Sequence, residues 1–163
     1  RIPESFLENQ FSRSIEEVYD RILFHGSDLH GIRDIPHCSA EGMTARISPA
    51  PSPDRWMKQP LRNKWLADPL VLDCAFQMAT VWCYEHTGNV SLPSYCASYR
   101  QYCDRFPSEG VTAVLEVQKT GGLKMKGDFH FLDNNQVVVA RITGYEAVMD
   151  PELYKAFKPE TAT

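Results

Sequence analysis

Between Asp68 and Gly88 the chain carries one long apolar stretch, Pro69-Leu70-Val71-Leu72-Asp73-Cys74-Ala75-Phe76-Gln77-Met78-Ala79-Thr80-Val81-Trp82-Cys83-Tyr84, and it narrows the folds open to this protein more than any other feature. Asp68 followed by Pro69 is a helix start: a side-chain oxygen that can cap orphan amides, then a ring with no amide to satisfy. Gly88 supplies the stop. The interval predicts a helix of about five turns at 3.6 residues per turn. Its apolar residues fall on nearly every side, so other elements must wrap it. Asp73 and Gln77, at i and i+4, share one face. A carboxylate in such a helix calls for a partner or a task. Periodicity alone allows two readings, a hydrogen bond to a neighbouring element at a solvated seam or a catalytic role.

The elements around this helix point to an α+β plan. Ser14-Ile15-Glu16-Glu17 has the spacing of a capping box, so a short helix should run to about Leu23 with Ile15, Val18, Tyr19 and Ile22 as its apolar stripe. Gly26 and Gly31 bracket a tight segment, and Met43, Ala45 and Ile47 alternate with polar neighbours as in a half-buried strand. Pro49, Pro51 and Pro53 then break regular structure. The loop from there to Asp68 carries Trp56 and Trp65, so it should pack on the body, and it is a candidate substrate wall or partner surface. After the long helix come four strand-like runs: 94–106, 111–118, 123–132 and 137–148. Gly121-Gly122 and Asp133-Asn134-Asn135 supply turns. The prediction is a curled antiparallel meander around one apolar helix. Residues 1–150 should form the domain and 151–163 a polar, fraying tail on which Tyr154 and Phe157 could dock.

Composition closes off several classes. At 163 residues the chain is long enough to bury a sizeable core. With 17 basic and 21 acidic residues the net charge is −4, and no basic stripe interleaved with aromatics points to nucleic acid. No apolar run has the length of a membrane span, and the start Arg1-Ile2-Pro3-Glu4 has neither a signal-peptide core nor an initiator Met, as expected of an excised segment. The cysteines Cys38, Cys74, Cys83, Cys96 and Cys103 are odd in number and lack the two-residue gaps of redox or zinc motifs. A reducing, cytoplasmic compartment and no metal site are therefore expected.

Asp68-Pro69-Leu70-Val71-Leu72-Asp73-Cys74-Ala75-Phe76-Gln77 resembles the central-helix motif of polyketide synthase and polyunsaturated fatty acid synthase dehydratase domains. In that family an Asp followed four residues later by Gln or His lies on the helix of the second hot-dog half. The resemblance covers roughly Glu16 to Val148. Residues 17–21 and 23–32 are similar to the segment carrying Tyr-Gly-Pro-x-Phe, Leu92-Pro93-Ser94-Tyr95 to the step opening the next strand, and residues 137–144 to the closing strand. His25 stands where Tyr is common, Ser27 replaces Pro and Leu29 replaces Phe. The family's His-x-x-x-Gly-x-x-x-x-Pro motif is absent, since none of the five histidines has Gly four residues on.

The resemblance implies a hot-dog fold that is the Asp-bearing, C-terminal half of a double-hot-dog dehydratase. It implies that a His from the other half takes the α-proton of a β-hydroxyacyl thioester while Asp73 acts as general acid, with a pKa raised by burial in an apolar tunnel, and Gln77 holds its carboxyl or the leaving hydroxyl. His25, Gly26, Leu29 and Pro93 would line the substrate. The acyl group would ride on the phosphopantetheine of an acyl carrier protein, with no other cofactor. The partner would be the His-bearing half or, for the excised chain, a second copy. Two other classes stay open: a non-catalytic module with a structural or acyl-binding role, and a homodimeric single-hot-dog thioesterase or hydratase. His25 and His30 either line a tunnel mouth or divide into a solvated loop residue and a backbone partner. His86 should interact with carbonyls at its helix end. His130, alternating with Phe129 and Phe131, should be exposed. Cys74, a buried thiol beside Asp73, should be a poor nucleophile.

Overall fold

Asp68 caps the long helix, accepting the Val71 amide at 2.9 Å, and Gly88 ends it in the left-handed conformation at φ 73°. In a computed structural model that describes residues 2, 4–6 and 9–157, the elements run in the following order. A short helix α1 (Ile15–Glu17) opens on a complete Ser14/Glu17 capping box and continues as a π-helical turn, Val18–Ile22, that buries Val18, Tyr19 and Ile22. A 3-10 turn at Ser27–Leu29 leads to strands β1 (Ile32–Ser39) and β2 (Gly42–Ile47). One turn of helix, α2 (Pro53–Trp56), interrupts the proline-rich loop before α3 (Pro69–Thr87). Strands β3 (Ser91–Gln101), β4 (Val111–Gly121), β5 (Lys124–Leu132) and β6 (Val138–Met149) follow, then α4 (Pro151–Phe157).

The strands form one antiparallel sheet in the order β1-β2-β4-β5-β6-β3. Its inner face meets α3, where Val71, Cys74, Ala75, Met78, Ala79, Val81 and Cys83 have no exposed surface. Met43, Ala45, Leu115, Phe129, Phe131 and Tyr145 close over them. The expected α+β plan is present, with three differences. Strand β1 did not stand out in the sequence. Strand β3 crosses over to pair with β6 instead of lying beside β4, and it ends at Gln101 where a run to Phe106 was expected. The expected tail begins as helix α4, whose Tyr154 stacks on Tyr84 at 5.7 Å and donates its hydroxyl to the Arg21 carbonyl at 3.0 Å. The rest of that tail, with the Phe157 side chain, lies outside the described residues. No helix among the described residues is long and apolar enough to cross a membrane.

Candidate active site

Gln77 organises the polar interior of α3. Its Nε2 donates to Asp73 Oδ2 at 2.7 Å and to the Leu29 carbonyl at 2.9 Å, while its Oε1 accepts the Tyr19 hydroxyl at 2.9 Å. The Tyr19 oxygen in turn accepts the Ile32 amide at 3.0 Å. Every polar group of a carboxamide with no exposed surface is thus used. One carboxylate oxygen, Asp73 Oδ2, is held by the amide, and Oδ1 has no hydrogen-bond partner among the described residues. The i, i+4 spacing places the two side chains on one face, and the turn at Ser27–Leu29 brings the third partner across.

His25 completes the surroundings of Asp73. Its Nε2 lies 3.6 Å from Asp73 Oδ2, a charge contact longer than a hydrogen bond. The ring stacks on Phe24 at 4.3 Å, and its Nδ1 is buried without a partner among the described residues. Burial pushes the imidazole below its ordinary value, Asp73 opposes that shift, and His30 adds to it. His30 stacks on Tyr19 at 3.8 Å and bonds the His25 carbonyl through Nε2 at 2.9 Å. Of the two expectations for this pair, His30 is the backbone partner, and His25, 11% exposed, is not a solvated loop residue.

Gly31 allows this approach. A Cβ there would lie 2.6 Å from Cys74 Sγ and 2.8 Å from Leu70 Cγ, so only glycine lets the segment carrying His25 and Leu29 lie against α3. Burial, reinforced by Asp73, pushes the Cys74 thiol up to about 12, consistent with the inert thiol expected.

Not every expected residue joins the site. Gly26 caps the 3-10 turn and is exposed, and Leu29 contributes its carbonyl. Pro93 sits on β3 opposite Ala147 and takes no part in the hydrogen bonds around Asp73. The Asp73 side chain is 33% exposed, so the enclosed apolar tunnel expected around it is not formed by this chain. His86 donates its Nδ1–H to the Trp82 carbonyl, 2.9 Å away, as its position at a helix end suggested. His130 is half-buried, not exposed, and Glu116 lies 3.9 Å from it. Tyr19 went unrecognised as a site residue. It reads as a member of an apolar stripe, and only the need of a buried phenol for a partner hints otherwise. No group of three or more potential metal ligands occurs among the described residues.

Residues 7–152 match the family model described as the polyketide synthase dehydratase N-terminal domain. A polyunsaturated fatty acid synthase polypeptide from Thraustochytrium sp. is 33% identical over 78 residues, which is 47% of this chain and 3% of that protein. Among solved structures, the dehydratase domain from the CurF module of curacin polyketide synthase is 22% identical, with a TM-score of 0.66 over 88% of this chain and 49% of that one. The dehydratase domain of PpsC from Mycobacterium tuberculosis, solved with C12:1-CoA, is 19% identical, with a TM-score of 0.65 over 85% of this chain and 52% of that one. The chain therefore shares the hot-dog fold of these domains and spans about half the length of each, and a small fraction of the synthase polypeptide.

Proposed function

The chain belongs to the polyketide synthase dehydratase family, and from that membership we propose that it supplies the Asp half of a site that dehydrates β-hydroxyacyl thioesters carried on the phosphopantetheine of an acyl carrier protein. The observation that carries the reading is the fixed Asp73–Gln77 pair. One carboxylate oxygen accepts from Gln77, and the side chain is one-third exposed.

In the proposed reaction a His from a second half-domain takes the α-proton. The β-hydroxyl leaves as water with the proton of Asp73 Oδ1, and the electron pair of the broken C–H bond becomes the new double bond. Acid work requires a proton on Asp73 at the moment of transfer. His25 is poorly placed to serve as the base, because its Nε2 is turned to Asp73 and its Nδ1 is buried. Assignment to a second half rests on the Asp-x-x-x-Gln pair. The matched model is described by an N-terminal domain, and a His-x-x-x-Gly-x-x-x-x-Pro motif preceding this segment in the parent chain would decide the order.

The test is Asp73→Asn in the parent synthase. Turnover should fall about 10²–10⁴-fold, the range general acid–base catalysis contributes, with the circular dichroism spectrum unchanged. The isolated chain should not dehydrate a β-hydroxyacyl pantetheine thioester. Undiminished turnover of Asp73→Asn would make the carboxylate structural and favour a non-catalytic module.

A further inference from the structure

We propose that the loop of residues 49–67 is a docking surface for an acidic protein face, and that its occupant is the acyl carrier domain. The loop concentrates positive charge in a chain of net charge −4: Arg55, Lys58, Arg62 and Lys64 stand against a single carboxylate, Asp54. Arg105 joins them by lining a cleft shared with Lys64, Trp65 and Leu66. None of these five cations has a carboxylate partner among the described residues. Arg13, Arg21, Arg46, Lys124, Lys126 and Lys155 have one, whereas Arg33, Arg100 and Arg141, scattered over other elements, have none among the described residues. The charges surround apolar surface that the chain does not cover. Leu61 is fully exposed, Leu66 66% and Met57 43%, and the three line a cleft of about 460 Å³ with Arg62, Lys64 and Trp65.

This surface is ordered before any partner arrives. Trp65 donates its indole N–H to the Pro51 carbonyl at 2.7 Å and packs on Trp56, with ring centroids 5.9 Å apart. The Asp68 carboxylate accepts the Ala50 amide, and Gln101 donates to the Leu66 carbonyl at 3.1 Å. Binding therefore spends little free energy on ordering the loop. An acidic face with an apolar centre matches it in charge and character. A second copy does not, since a two-fold contact would bring the same cations together. The choice of the carrier rests on the proposed dehydratase role. The loop closes at Asp68, and Asp73 follows five residues later, about 7.5 Å along the helix axis at 1.5 Å per residue. The end of the loop therefore lies within about a turn and a half of helix from the reacting carboxyl.

The test titrates a phosphopantetheinylated acyl carrier domain from a polyunsaturated fatty acid synthase against the whole chain by calorimetry, at low and high salt. Arg62→Glu with Lys64→Glu should weaken binding about tenfold or more, as loss of several exposed charge contacts predicts. Leu61→Ser should weaken it less and without salt dependence. All three positions are exposed, so melting temperatures should not move. Asp73→Asn should bind the carrier like the unaltered chain, so a failure of the catalytic role is read separately. The proposal is overturned if the unaltered chain does not bind the carrier or if the double reversal binds it equally well. It is also overturned if the double reversal abolishes self-association or binding to anionic vesicles while leaving carrier affinity intact.

Discussion

A carboxamide with no exposed surface and no idle polar atom, Gln77 ties three segments of chain to one point. Gln77→Leu would take a buried partner from the Tyr19 hydroxyl and from the Leu29 carbonyl, each loss costing about 1–3 kcal/mol. The expected outcome is a lower urea midpoint with an unchanged slope. The histidines set a pH dependence. Burial holds both His25 and His130 below the ordinary 6.5, with Asp73 and Glu116 respectively opposing it. His30 reinforces the shift at His25, and at His130 Arg141 reinforces it while Asp128 opposes. The unfolded chain then binds more protons as pH falls through about 6.5, so stability present above that value is lost toward the folded values. Melting curves at pH 7.5 and 5.5 should show the drop, and His130→Gln should flatten it. The Asp73–Gln77 pair was legible in the sequence because i, i+4 geometry is local. Tyr19 lies 58 residues from the amide it bonds, and nothing local announces that contact.

The long helix was legible from cap to stop because both signals lie at its own ends. Asp68→Ala should cost about 0.5–2 kcal/mol for the cap and should also free the Ala50 amide that anchors the following loop. A fall in the urea midpoint, with faster amide exchange at Ala50, would show both effects. Strand β1 was hidden by its composition. Pro36 lacks an amide, Asp34 and His37 interrupt the alternation, and the pairing with β2 shifts register between those two residues. Such a strand is tolerated at an edge, where its outer side meets residues 9–11: the Phe11 amide donates to the Pro36 carbonyl and the Cys38 amide to the Asn9 carbonyl. At Gly31, substitution by Ala should push the segment 25–30 off α3, and loss of the Gln77–Leu29 bond would appear as faster exchange across that segment.

Across the whole molecule the two edges differ. Residues 9–11 cover β1, whereas the outer edge of β3 has no partner among the described residues, and Leu92 and Tyr95 stand exposed along it. An open edge of eleven residues is a template for pairing. Sedimentation of the isolated chain should show dimers growing with concentration, and Tyr95→Lys should shift them to monomers. A strict monomer at high concentration would count against edge pairing. The crossover of β3 was beyond local reading, since a strand's sequence records its own alternation and not its neighbour. That crossover also sets a schedule. β3 is made before β4, β5 and β6, yet its ladder runs entirely along β6, from Ser91 with Met149 to Gln101 with Ala140. A ribosome adding about 5–20 residues per second leaves β3 unpaired for several seconds while the rest of the sheet is made. All that time the helix meant for the core has no complete cover, and nascent chains of this segment should be natural clients for chaperones that hold apolar surface until the last strand emerges.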